Sequence, residues 1–244
     1  MRKSSIAFLF CLSTALIAQA PKTNAAAKAP ANPPPPTGLL AAPGKTLFQD
    51  DFSAPRTNDW KFPIPAFVVS NGMLVAWQGR ADHGAVSKIA VPFSNAVVQV
   101  SFRFEGGTSW NLVFDDRTYK GSHAGHICRV AFTTNGVRLA DDKEGAMRND
   151  IFDNRTNASM KAELARRLVG RSLAAAVPLP KGTWHTVLTE LVGEEMRVHL
   201  DGKPIAALRS QGIAHGKKGD FGFAVSGGQV WFKDLSIRQA TPAP

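Results

Sequence analysis

From Lys45 onward the chain alternates apolar and polar positions with a period of two. The clearest run, Val98-Gln99-Val100-Ser101-Phe102-Arg103-Phe104, keeps its apolar residues at even positions, as a strand with one face on a core does. Met196-Arg197-Val198-His199-Leu200 repeats the pattern, and Asp201-Gly202 behind it predicts a tight hairpin. Further turn signals stand at Asn71-Gly72, Gly106-Gly107, Asn135-Gly136, Val192-Gly193 and Gly227-Gly228. Between them lie short runs rich in Val, Ile, Phe and Trp, such as Met73 to Trp77, Trp110 to Phe114 and Gly222 to Val225. Many short strands at hairpin spacing predict an all-β chain, an antiparallel sandwich or jelly roll of two sheets.

One stretch departs from this period. Near residues 147–169, Met160, Leu164 and Leu168 fall at i, i+4 and i+8, with Asn154 or Asn157 as an N-cap and Gly170 just past the end. This predicts one amphipathic helix inserted between strands, serving as a brace or as a lid over a cleft.

The first 44 residues read differently. Met1-Arg2-Lys3 is a positive n-region, Ile6 to Ile17 a short apolar h-region, and Ala18-Gln19-Ala20 a small-residue cleavage site, with Ala25 or Ala27 as alternatives. Residues 1–25 are accordingly expected to be a signal peptide and the protein to be exported, whether to the periplasm, the outside or the cell surface. Residues 21–44 hold seven of the sixteen prolines, so 26–44 read as a semi-rigid spacer ahead of a domain spanning 45–240. With Cys11 in the signal, Cys128 is the one thiol left. It lies in the apolar-alternating run His126 to Phe132 and is expected to be buried.

Composition narrows the function classes. Hydrophobic residues make up 44% of 244 and charged ones 20%, a globular balance. The net charge of +10 dissolves on inspection, since four of the 29 basic side chains and none of the 19 acidic ones lie in residues 1–44. The other bases are scattered, with no stripe of the kind that phosphate binding needs, so nucleic acid is not an expected partner. No apolar run beyond the N-terminus reaches the ~18 residues of a spanning helix, so no integral membrane span is expected either.

Several segments carry a likeness. The opening Leu47-Phe48-Gln49-Asp50-Asp51-Phe52, with Trp60 soon after, is joined by the strand Gln99 to Phe104 and by Gly182-Thr183-Trp184-His185. The hairpin His199 to Pro204 and the closing runs Gly219 to Phe223 and Val230 to Leu235 complete it. Together they resemble the 3-keto-disaccharide hydrolase domain family, a concanavalin A-like sandwich similar to glycoside hydrolase family 16. The resemblance implies a jelly-roll fold, carbohydrate as partner, and cleavage of glycosides or 3-ketoglycosides. The Glu-x-Asp-x-x-Glu pattern of family 16 glycosidases is absent, which disfavours a retaining mechanism on paired carboxylates. A non-catalytic carbohydrate-binding or surface-interaction module is the alternative.

The candidate chemistry lies in the middle of the chain. If Trp110–Asp116, His126–Phe132 and Val137–Asp142 form an antiparallel meander, Asp115, Asp116, Asp141 and Asp142 gather at one end of a sheet. His126 begins the middle strand there, His123 stands in the loop before it, and Arg129 lies farther along. His126, Asp116 and Asp142 are the expected acid–base residues, with Trp110, Arg129, Asp115, Asp141 and His123 around the substrate. A 3-ketosugar has an acidic C2 proton, which a histidine oriented by an aspartate is suited to remove. Ca²⁺ or another divalent metal is a possible addition, polarising the ketone at the rim or held by the weaker set Asp50, Asp51 and Asp234. Of the five tryptophans, one exposed platform for sugar stacking is expected and the rest in the core.

Overall fold

The computed structural model describes residues 37–242. The expected signal peptide, and the spacer up to residue 36, lie outside the described residues. Fifteen strands form two antiparallel sheets. One sheet follows the order β13 (Lys203–Arg209), β12 (Glu195–Leu200), β11 (His185–Val192), β6 (Ala96–Phe104), β15 (Val230–Pro242), β4 (Met73–Ala76) and β3 (Phe67–Ser70), with β1 (Ala41–Asp50) also paired to β15. The other runs β10 (Ser172–Ala176), β9 (Gly136–Asp141), β8 (His126–Thr133), β7 (Gly107–Asp115), β14 (Lys218–Gly227), β5 (Ala85–Phe93) and β2 (Lys61–Ile64). This is the expected jelly-roll sandwich. No helix among the described residues is long and apolar enough to cross a membrane.

The turns follow the expected chemistry. Asn71-Gly72 and Asp201-Gly202 both sit at positive φ, the backbone that a two-residue hairpin demands. The strand-to-strand meander β7–β8–β9 also forms, with Trp110 opposite Phe132 and Phe132 opposite Val137.

Aromatic side chains from both sheets fill the space between them. Trp110 lies flat on Phe132, ring centroids 4.4 Å apart, and meets Phe102 and Phe232 of the facing sheet at 4.8 and 5.0 Å. Phe223 stacks on Phe232 at 4.4 Å. Trp110 is fully buried, so it is a core residue and not part of a substrate rim. The even positions of β7, Trp110, Leu112 and Phe114, all turn inward, and the alternation itself dictates that placement. Cys128 is buried beside them, and desolvation pushes its thiol far above its ordinary range.

Two boundaries differ from expectation. The domain begins at Ala41, inside the anticipated spacer, because Ala41 pairs with Pro242 along β15. The amides of Leu40 and Ala41 donate to Oε1 of the buried Glu190, at 2.7 and 3.1 Å, and His199 Nε2 lies 2.9 Å from Oε2. A buried carboxylate therefore anchors the start of the fold. The insertion is present but divided into α1 (Asn149–Asp153) and α2 (Lys161–Arg167), the second entered through a 3₁₀ turn at Ala158–Met160. Asn154 to Asn157 interrupts it, and the Asn157 side chain accepts from the Ser159 amide, as a capping residue does. Leu164 is buried, while Met160 and Leu168 are half-buried.

Truncating Trp110 to alanine removes the keystone of this aromatic layer. The expected loss is about 3–5 kcal/mol of unfolding free energy, read from urea denaturation of the wild type and the variant. An unchanged midpoint would contradict the core assignment.

Candidate active site

The site grows from an irregularity in the ladder between β7 and β8. Val113 faces Arg129 and Phe114 faces Cys128, but Asp115 faces His126, so Ile127 is an extra residue on β8. Such a bulge re-aims side chains. In regular register Asp115 would face Ile127; the bulge buries Ile127 and brings His126 onto the outward face that Asp115 and Arg129 share. Asp115 Oδ1 lies 2.7 Å from His126 Nδ1.

The other oxygen of Asp115 is 2.8 Å from Nζ of Lys88, on β5. These residues belong to strands separated by β14, whose Gly222 lies beside Lys88. That glycine is opposite Val113 on one side, and one step from the Phe221–Ile89 pair on the other. A Cβ at position 222 would come within 2.0 Å of the Ser87 carbonyl, so only glycine lets β5 and β14 close up there.

Asp115 is 1% exposed. Burial acts to raise its carboxyl, but the hydrogen bond and charge of His126, helped by Lys88, outweigh it and hold the group below the usual carboxylate range. An ionised Asp115 can only accept, so His126 Nδ1 carries the proton in the neutral ring and Nε2 keeps its lone pair. The His126 side chain is 20% exposed, and Nε2 has no hydrogen-bond partner among the described residues.

Arg129 stands on the same strand. Its Nε is 2.5 Å from Oδ2 of Asp142, a residue 2% exposed. Desolvation pushes the Asp142 carboxyl up against the opposing pull of Arg129. Arg129 Nη2 is buried and has no hydrogen-bond partner among the described residues. A buried donor left unpaired costs about 1–3 kcal/mol.

The remaining expected residues divide. Asp116 lies at this end of the sheet but does not serve His126. Its Oδ2 is 2.9 Å from His215 Nε2, and its Oδ1 accepts from the amide and hydroxyl of Thr118 at 2.9 and 2.6 Å. Burial raises its pKa, but the His215 and Thr118 hydrogen bonds outweigh that and hold it at about 2. Asp141 is a loop anchor, accepting from the amides of Glu144 and Gly212 at 3.0 Å and from the Ser210 hydroxyl. His123 packs flat on Phe152 of α1, centroids 3.8 Å apart, and stands 6.3 Å from the His126 ring. Desolvation, with the neighbouring His126, lowers its pKa. Asn149 Nδ2 also donates to the Lys120 carbonyl, so the insertion buttresses the loop leading into His126, the brace of the two expected roles.

The second acidic set does not form a cation site. Asp50, Asp51 and Asp234 line one groove, yet Asp50 spends both oxygens on the Phe52 amide and the Trp60 indole, each at 2.8 Å. Among the described residues no group of three His, Cys, Asp or Glu side chains is placed to hold a metal.

The sequence reading missed Lys88, His215, Arg117 and Asp220. The last two form a bidentate pair, Nε to Oδ2 at 2.9 Å and Nη2 to Oδ1, beside Lys88. With Phe48, Lys61 and Pro63 they line a cleft of about 490 Å³ on the outer face of β5 and β14. An outward lysine on a strand looks like any solvated one until its cross-strand neighbours are known.

Fold and site together define a concanavalin A-like jelly-roll sandwich with a buried carboxylate–imidazole pair on one outer face. The chain belongs to the 3-keto-alpha-glucoside-1,2-lyase-like domain family, which it matches over residues 43–238. No curated protein matches it. Among solved structures it is similar to SCLam, a non-specific endo-beta-1,3(4)-glucanase from family GH16, at 11% identity, covering 86% of this chain and 96% of that one with a TM-score of 0.56. A laminarinase from Flavobacterium sp. UMI-01 is 10% identical over 80% of this chain and 100% of its own, with a TM-score of 0.54. The carbohydrate-binding module CBM66 from Bacillus subtilis is 11% identical over 74% and 96%, with a TM-score of 0.51. At such identities these likenesses are of fold.

The low pKa of Asp116 makes its network a pH-dependent brace. A carboxyl depressed to about 2 stabilises the fold above its unfolded value near 3.8, and that contribution fades as pH falls toward 2. Between pH 5 and pH 2 the wild type should therefore lose more denaturation free energy than Asp116→Asn. Equal losses would show that the network adds nothing.

Proposed function

We propose that the chain cleaves 3-ketoglycosides by elimination, with His126 as the base. The carrying observation is the Asp115–His126 pair, which leaves Nε2 on the outward face of the sheet without a partner among the described residues. The C2 proton of a 3-ketoglycoside is acidified by the neighbouring ketone, and a neutral imidazole can remove it. His126 Nε2 takes that proton while Asp115 holds the ring and offsets the charge it gains. Arg129, on the same face with its side chain 20% exposed, supplies the guanidinium charge that offsets the enolate forming on the ketone oxygen. The enolate then expels the C1 substituent. Asp142 fixes the Arg129 guanidinium for this role, and Asp116 steadies the neighbouring loop through His215. The family membership supports the choice of substrate class. The leader-like residues 1–25 support action outside the cytoplasm.

One observation favours a second reading, a carbohydrate-binding module. On the outer face of the other sheet, the Arg103 guanidinium stacks on Trp231 and Trp184, 4.4 and 5.2 Å from their rings, and Lys233 lies 4.7 Å from the Trp184 ring. Half-buried tryptophans with ordered cations offer a sugar both stacking and hydrogen bonds.

Residues 37–244 incubated with 3-keto-trehalose should release glucose. His126→Ala should reduce the rate by about 10²–10⁴, the usual worth of a positioned base. Sugar binding without turnover in the wild type would favour the module instead.

A further inference from the structure

Elimination needs more than a base. A sugar alkoxide is a poor leaving group, so a proton must reach the C1 oxygen as its bond to carbon breaks. The groups gathered near His126 can be sorted by whether they have one to give. Arg129 and Arg117 are guanidiniums, which do not deprotonate in proteins. Asp220 is tied to Arg117, Asp116 to His215 and Thr118, and the buried Asp142 to Arg129. Lys88 differs from all of these. Its ammonium carries three protons, and Asp115 Oδ2 is its one partner among the described residues. Its side chain is 24% exposed and lines the cleft of about 490 Å³ that adjoins the pair.

We propose that Lys88 is the proton donor to the leaving-group oxygen, sharing the Asp115 carboxylate with the base His126. This rests on the eliminative reading given above. The two oxygens of one carboxylate hold the two proton-handling groups, so base and acid stand as near neighbours on one face. Gly222, on the intervening strand, lets β5 lie close against β14, since a Cβ there would come within 2.0 Å of the Ser87 carbonyl.

The step balances. The C2–H bond breaks, its proton goes to His126 Nε2, and its electron pair forms the C1=C2 double bond. The C1–O bond breaks, and the departing oxygen keeps that pair and takes a proton from Lys88 Nζ, leaving a neutral amine. The products are an unsaturated 3-ketosugar and a free sugar. Solvent then carries the proton from His126 back to Lys88, and no oxidant or reductant is consumed.

Lys88→Arg separates this role from mere support of Asp115. Arginine keeps the ion pair but cannot give up a proton. Lys88→Arg and Lys88→Met, each checked for native circular dichroism, would be assayed on two substrates. One is 3-keto-trehalose, whose leaving group needs a proton; the other is 4-nitrophenyl 3-ketoglucoside, whose phenolate does not. Both variants should lose about 10²–10⁴ in kcat/KM on the disaccharide and roughly tenfold or less on the aryl substrate. Equal losses on both substrates would overturn the proposal and leave Lys88 a positioning residue. So would recovery of disaccharide cleavage by arginine, or no loss at all. His126→Ala guards the underlying reading: it should lose both activities, and if it retains them the eliminative scheme itself fails, whatever Lys88 does.

Discussion

A carboxylate taken almost wholly out of water costs several kcal/mol unless charge and hydrogen bonds compensate it. Asp115 is in that position, and the compensation comes from two different strands, His126 on β8 and Lys88 on β5. His126 could not reach it in a regular ladder, where Ile127 would face Asp115. The extra residue Ile127 turns His126 toward it, and the missing side chain at Gly222 lets β5, which carries Lys88, lie close against β14. The two local departures from ideal β geometry thus serve one ionised group, and that group in turn fixes which nitrogen of His126 is free.

The rest of the molecule holds this arrangement still. Trp110 and Phe114 anchor β7 in the core on the opposite side from Asp115, so the strand cannot rotate without losing aromatic packing. Asp116, directly after it, pins the following loop through Thr118 and His215. The insertion adds a third restraint, with Phe152 against His123 and Asn149 on the Lys120 carbonyl. Rigid support of this kind would serve the proton transfer proposed for the pair, because the rate of such a step falls steeply with misplacement.

Much of this was legible in the sequence because a period of two determines which residues share a face. The meander, its turns and the gathering of Asp115, Asp116, Asp141, Asp142 and His126 at one end all follow from it. Alternation also held the correct answer for Trp110, two and four positions before the inward Leu112 and Phe114. What it could not supply was the partner of His126, since Asp115 and Asp116 are adjacent and a one-residue bulge decides between them. Lys88 and His215 stayed hidden for another reason: they meet these aspartates only after strands distant in the chain pair. Asn157 caps the second helical segment, as one of the two expected N-caps, while the separate short helix ahead of it carries no such signal.

The central claim is that Asp115 imposes one tautomer on His126. Long-range ¹H–¹⁵N correlation spectra of the neutral imidazole read this directly. The account predicts a protonated Nδ1 and a bare Nε2 in the wild type, and loss of that preference in Asp115→Asn. A proton found on Nε2 in the wild type would contradict it, for the nitrogen assigned to take the substrate's proton would already hold one.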